Sequence, residues 1–318
     1  MLKISSDQRR GFSLTELLVA LAIVAVLMSL IFPALGYSRA SAARITCLNN
    51  AKQISLACQN YESVHQWIVP HGTQAYVGLL PYLGLGEFGN IHSASSPATL
   101  FCPVDAELQS SEGDISYFFN DGSGRTSDYR PGPEDGVFLG SSRQFAGVAL
   151  SEISDGASQT ALASERLAAT RREPTAGRPP ATGSRIPYEA WRRWSVRVTT
   201  RRDPSSERLT FADDCLNLRG LQTSAFVPAF PSSFGLFTTG TYNHLNLPNT
   251  PTCVNGAIDP DRYFDVLVSY PAASEHRGGV NVAFCDGHTS FISSAVDVDV
   301  WRSAGTRAGR EQSGGAEF

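Results

Sequence analysis

Polar and apolar positions divide this chain into three unlike regimes. From Leu17 to Phe32 it reads LLVALAIVAVLMSLIF, with Ser29 as the only polar side chain, and between Gly11 and Arg39 the sole charge is Glu16. Taken from Phe12 to Gly36, the run has 25 residues. As an α-helix at ~1.5 Å per residue it spans roughly 37 Å, enough to cross a ~30 Å hydrocarbon core. Past Pro33 the pattern turns amphipathic. Cys47, Ala51, Ile54, Cys58 and Tyr61 recur at steps of 4, 3, 4 and 3, while Asn49, Asn50, Lys52, Gln53, Gln59 and Asn60 take the other sides. That stripe predicts a helix with one buried face. Together the two regimes predict one nearly continuous helix over Phe12–Glu62, its first half in lipid or a filament core and its second half packed on a globular head.

After Tyr61 the chain becomes rich in Gly, Pro and aromatics. Short alternating runs, such as Gly147-Val148-Ala149-Leu150 and Tyr263 to Tyr270, predict antiparallel strands joined by long loops. The clearest hairpin is Val280–Cys285, Asp286-Gly287, His288–Ile292. Asp-Gly favours a two-residue type I′ turn, which places Cys285 opposite His288 and Val282 opposite Phe291. Val280, Val282, Phe284 and Phe291 then share an apolar face, expected against the amino-terminal helix. The fold class is α+β: a leader (1–11), a transmembrane helix (12–36), its amphipathic continuation (37–62) and an exported head (63–318).

Averages hide this division. The chain has 318 residues, 42% hydrophobic and 18% charged, with net charge -4 and pI near 5.9. These values exclude a disordered chain, a polytopic membrane protein and a wholly basic nucleic-acid binder. Charge is unevenly placed. Lys3, Arg9 and Arg10 against Asp7 give the leader +2, which by the positive-inside rule keeps it cytoplasmic and exports the chain beyond the helix. Residues 166–208 hold eleven arginines against Glu173, Glu189, Asp203 and Glu207, a local +7. They form either a patch for acidic polymers or anionic lipid, or a solvated loop and strand pair.

Chemistry-bearing motifs are sparse. No G-x-S-x-G, Walker loop or zincin spacing occurs, and the six histidines are scattered. No catalytic residue and no enzymatic activity is expected. His276, Asp286 and His288 form the only group placed to converge. A hydrolytic or metal site there needs a third ligand and a pocket; the plainer account has Asp286-Gly287 making the turn and His276 bonding nearby backbone. Asp259-x-Asp261-x-x-x-Asp265 is a Ca²⁺ candidate lacking the Gly and terminal Glu of an EF loop; no other cofactor is indicated. Six cysteines in an exported head, without C-x-x-C spacing, favour disulfides over a metal framework. Cys47 and Cys58 lie ~16 Å apart along one helix face, too far to bridge each other.

The amino terminus admits a cleaved secretory signal with Ala40-Ser41-Ala42 at its end, a plain anchor, or something more specific. RRGFSLTELLVALAIVAVLMSLIFPAL resembles the class III signal of type IV pilins and type II secretion pseudopilins: basic leader, Gly, Phe, a carboxylate four residues on, then the helix. The resemblance implies a pilin-like fold, cleavage between Gly11 and Phe12 by a prepilin peptidase, methylation of the Phe12 amine and retention of the helix. It also implies pairing of Glu16 with the Phe12 amine of a neighbouring subunit. A carboxylate inside an apolar segment costs about 2.5 to 3.5 kcal/mol, so a cationic partner gives it a purpose.

Four further stretches resemble a large pilin-like family of planctomycete-type bacteria, catalogued as a domain of unknown function. They are ARITCLNNAKQISLACQNYES, Phe101–Asp105, Ile153–Thr160 running to Glu165-Arg166, and His276 through Gly287, where His276 and Asp286-Gly287 make an H-x9-D-G signature. Because both cysteines fall inside these motifs, Cys47–Cys102 is the preferred bridge and Cys215–Cys253 the next. Cys58 and Cys285 are then buried free thiols, and other connectivities stay open. The resulting expectation is a pseudopilin-like structural subunit, single-pass in the inner membrane, with the prepilin peptidase, other pilin-like subunits and membrane lipid as partners. The alternatives are a membrane-tethered module binding polysaccharide, DNA or protein and, last, a hydrolase around His276.

Overall fold

The computed structural model describes residues 14–69, 75–84, 97–105, 115–123, 136–138, 147–167, 194–198, 207–217, 221–228, 241–255 and 268–309. Gly11, Phe12, the three candidate calcium aspartates Asp259, Asp261 and Asp265, and most of the Arg-rich segment lie outside them.

Helix α1 runs over Leu14–His65, 52 residues. The chain divides into two compact units between Ala43 and Arg44. In the first, the aliphatic side chains are bare: Leu17, Leu18, Val19, Ile23 and Leu27 are 52–60% exposed, and at 100° per residue these positions are spread around the whole circumference. Among the described residues no helix is long and apolar enough to cross a membrane. Described side chains run unbroken only from Leu14 to Ser29, about 24 Å of helix. In the second unit the expected stripe is buried, with Cys47, Ala51, Ile54 and Cys58 each at 0% exposure.

That stripe packs on a five-stranded sheet ordered β5-β1-β2-β8-β9, formed by β1 (Tyr117–Asn120), β2 (Ala161–Glu165), β5 (Thr241–Tyr242), β8 (Gly279–Phe284) and β9 (Thr289–Ser293). A second sheet, ordered β4-β3-β6-β7, comprises β3 (Trp194–Val198), β4 (Leu221–Pro228), β6 (Thr252–Asn255) and β7 (Val268–Ser269). Among the described residues the head also has three α-helices: α2 (Ala75–Leu79), α3 (Glu207–Leu216) and α4 (Val298–Gly305). The sheets are mixed rather than purely antiparallel, because β1–β5 and β3–β6 pair in parallel. Parallel neighbours need a long crossover, and the chain between β1 and β5 supplies one of about 120 residues, which includes β2, β3 and β4.

Two local expectations are corrected. The β8–β9 hairpin closes through three residues, Cys285–Gly287, not two. Phe284 N–H donates to the His288 carbonyl at 2.9 Å and Gly287 N–H to the Phe284 carbonyl at 3.0 Å, with Gly287 at φ +94°. A turn closed by a left-handed glycine shifts the register by one. Val282 therefore faces Ser290 and Asn281 faces Phe291, so Phe291 joins Asn281 on the face opposite Val280 and Val282. Arg44 of α1 lies 4.7 Å from the Phe291 ring centroid, which makes the Asn281 face the one beneath the helix. The second correction concerns Gly147–Leu150, which is not a strand. Glu152 Oε2 accepts the Ala149 N–H at 2.8 Å and starts a 3₁₀ turn at Leu150.

Helix α4 closes the far end of the head. Asp297 caps it by accepting the N–H groups of Asp299 and Val300 at 2.9 and 3.2 Å. Its Trp301 stacks on His244 with ring centroids 3.9 Å apart. His244 Nδ1 lies 2.7 Å from the Trp301 carbonyl and Nε2 3.0 Å from the Tyr242 hydroxyl. A carbonyl only accepts, so Nδ1 carries the proton and Nε2 accepts from Tyr242. Burial drives the His244 pKa down to about 3, against the smaller upward pull of the Trp301 carbonyl. The unfolded chain protonates this ring near 6.5, so the unfolded state binds the extra proton between about pH 6.5 and 3. Stability is lost there as pH falls, by up to ~1.4 kcal/mol per unit. Urea unfolding at pH 7 and pH 5 should show the wild type losing about 2 kcal/mol more than His244→Gln; equal losses would refute the assignment.

Candidate functional site

Four short segments converge beneath α1. Cys47 opens the buried stripe of the helix, and its carbonyl accepts the Tyr117 hydroxyl at 2.9 Å. Tyr117 on β1 stands opposite Glu165 on β2, so both point to the helix side of the sheet. The 3₁₀ turn at Ala98–Leu100 leads into Cys102. Asn50 of α1 holds it there by donating to the carbonyls of Ala98 and Phe101 at 3.3 and 3.0 Å, and Cys102 N–H donates to Ser116 Oγ at 2.7 Å. Cys47 and Cys102 are bridged, with Cα atoms 5.3 Å apart. Cys215 on α3 and Cys253 on β6 form the second bridge, while Cys58 and Cys285 are free and buried. Both pairings agree with expectation.

His276 enters from the segment leading into β8. Its Nε2 lies 3.2 Å from Glu165 Oε1 and 3.7 Å from Cys102 Sγ. Glu165 Oε1 also accepts the Asn281 side-chain amide at 2.9 Å, and Oε2 the Asn281 backbone N–H at 2.9 Å. Glu165 is 2% exposed and His276 7%. A carboxyl group this deep is tolerated because its oxygens take three hydrogen bonds, from His276 and Asn281. His276 therefore bonds a side chain, not the nearby backbone it was expected to meet.

The candidate trio of His276, Asp286 and His288 does not converge, as the plainer account had it. Asp286 Oδ1 accepts from His288 Nδ1 at 2.6 Å and from His288 N–H at 3.0 Å, an exposed pair within the hairpin loop that includes no His276 contact. Glu165 is the residue that sequence reasoning missed as a partner for His276. The signal was present: Cys47, Cys102, Glu165 and His276 each come from one of the four stretches that resemble a common family.

The other end of the signature docks on the same helix. The Gly287 carbonyl accepts Lys52 Nζ, and a Cβ at Gly287 would fall 2.5 Å from the Gln59 amide nitrogen. The positive φ favours glycine here, while the end of the Gln59 side chain would have to move aside for a Cβ. From Cys47 to Gln59, α1 rises about 18 Å, and the six residues of β8 span roughly 17 Å. The H-x9-D-G spacing is therefore a ruler: β8 laid along α1, with His276 at the disulfide end and Gly287 under Gln59.

Chemically, the site is a covalent staple between α1 and the Cys102 segment. Burial raises the pKa of both free thiols, which keeps Cys58 and Cys285 protonated and inert. The ligand atoms of Cys47, Cys102, Glu165 and His276 lie within 4.8 Å of one another, with both sulfurs engaged in the bridge. Of the eleven arginines in the basic segment, Arg166 belongs to the core. It donates to the Thr241 carbonyl at 3.1 Å and lies 4.5 Å from the Tyr270 ring centroid.

Residues 7–32 match the prokaryotic N-terminal methylation motif, and Glu16 stands in the first turn of α1 within that match. The matched motif overlaps the bare apolar part of α1. Residues 90–299, about two thirds of the chain, match the family described as "Protein of unknown function (DUF1559)", and the chain belongs to that family. No curated protein and no solved structure matches it. Neither matched description names an enzymatic activity.

Proposed function

We propose that this protein is a pseudopilin-like structural subunit. A prepilin peptidase cleaves after Gly11 and methylates Phe12; residues 12–36 anchor the mature chain in the inner membrane with the head outside; and subunits associate through that helix into a type II secretion or type IV pilus-like filament. The observation that carries the reading is the exposure of aliphatic side chains on every side of the helix from Leu17 to Met28, behind a matched methylation motif. An apolar surface of that extent calls for lipid or other helices around it, and Glu16 supplies the polar feature that a plain anchor lacks.

A photocrosslinking residue at Ile23 tests this in native membranes, after mass spectrometry of the mature chain. The expected results are a methylated Phe12 start and crosslinks to a second helix bearing the same motif. Crosslinks to lipid alone would favour a tethered binding module, and a start at Ala43 would remove the filament model altogether.

A further inference from the structure

The cluster under α1 has a use beyond its disulfide. We propose that Cys47, Cys102, Glu165 and His276 form a Zn²⁺ site in the dithiol form of the protein, so that metal and disulfide are alternative closures of one staple. In tetrahedral zinc with Zn–S near 2.3 Å and Zn–N and Zn–O near 2.0 Å, ligand atoms stand about 3.6 Å apart for N and S and about 3.3 Å for N and O. Here His276 Nε2 stands 3.7 Å from Cys102 Sγ and 3.2 Å from Glu165 Oε1. Two of the required edges therefore already exist. The sulfurs must part, from bonding distance to about 3.8 Å, and the remaining pairs, all within 4.8 Å, must settle to about 3.3–3.6 Å.

The donor set selects the metal. Two thiolates and an imidazole suit zinc and disfavour calcium or magnesium, which take oxygen ligands. The surrounding shell is also in place. The Asn281 backbone N–H holds Glu165 Oε2 at 2.9 Å, leaving Oε1 to turn to a metal, and Ser116 Oγ fixes the Cys102 backbone at 2.7 Å; outer contacts of this kind orient ligands. The four residues come from four segments that are tied together by other hydrogen bonds, so opening the bridge leaves the Glu165–His276 pair standing. The exchange balances. A dithiol donor gives two electrons and two protons to the Cys47–Cys102 bond and becomes a disulfide; Zn²⁺ then displaces both thiol protons, and His276 binds it through Nε2 as a neutral imidazole whose proton sits on Nδ1. Reoxidation returns two electrons to an acceptor disulfide and releases the metal.

The test uses the full chain in detergent, reduced with a phosphine, with Zn²⁺ or Co²⁺ as the only added metal. Reduced protein should take up one equivalent, and Zn²⁺ should slow alkylation of Cys47 and Cys102 roughly tenfold or more while leaving Cys215 and Cys253 unchanged. Co²⁺ should show tetrahedral d–d bands with thiolate charge transfer, and oxidised protein should show neither. His276→Gln should weaken Co²⁺ binding by at least the ~10–100-fold that losing an outer-shell partner costs. Equal protection of all four bridge cysteines, octahedral cobalt without charge transfer, or unaltered binding by a folded His276→Gln chain would each overturn the proposal. If that variant unfolds on reduction, the wild-type protection pattern decides alone.

Discussion

Glu165→Ala should cost the head about 3–5 kcal/mol, the penalty for breaking a buried, hydrogen-bonded charged cluster by removing one member. Three donors lose their acceptor together: His276 Nε2, the Asn281 amide and the Asn281 backbone N–H, at 3.2, 2.9 and 2.9 Å. Each buried group left unsatisfied costs about 1–3 kcal/mol. Against a typical total of about 5–15 kcal/mol, that is about a fifth or more of the stability. The Cys47–Cys102 bridge, which closes 55 residues, contributes about 4 kcal/mol by loop-entropy reasoning. It should keep the variant compact at rest and unfold early in urea. Asp286→Ala supplies the contrast, because its partner His288 is exposed and the loss should stay below about 1 kcal/mol. Urea midpoints of the three proteins measure this; comparable losses for Glu165→Ala and Asp286→Ala would show that the buried cluster is not what stabilises this end of β8.

Glu16→Ala should abolish filament incorporation while leaving the head folded. On the subunit reading, each assembled chain pairs this carboxylate with the amine of a neighbour in an apolar setting, and truncating one member of such a pair costs about 3–5 kcal/mol. That is roughly a hundredfold or more in subunit affinity, multiplied at every contact. The readout is the fraction of protein recovered in sheared or crosslinked assemblies, with both disulfides checked by non-reducing mass analysis. Normal recovery of Glu16→Ala in assemblies would refute the subunit reading and leave the tether in its place.

Much of this could be read along the chain, for a reason visible in particular residues. The stripe from Cys47 to Tyr61 is legible because helical periodicity projects directly onto burial; four of its five members are fully buried. The methylation motif is legible because its chemistry is local, a leader, Gly11-Phe12 and Glu16 within a few residues. The Cys47–Cys102 pairing followed from the motifs that contain both cysteines. The hairpin was half legible: Asp286-Gly287 marks a turn, but the choice between two and three loop residues depends on contacts from α1, where Lys52 and Gln59 meet Gly287. One residue of register then moved Phe291 to the other face.

The division between the two sources of information is physical. Apolar periodicity, leader charge and the methylation motif act over one or two helical turns or along a single extended segment, so the order of residues alone determined the long helix, its bare first part and the expected route of processing. Glu165 and His276 are 111 positions apart, and Cys47 and Cys102 are 55. No local rule relates them, since only the packing of β8 and of the Cys102 segment on α1 brings their atoms within reach. That packing decided which histidine meets which carboxylate, converted the H-x9-D-G spacing from a pattern into a length, and placed the disulfide beside two further metal-ligating groups.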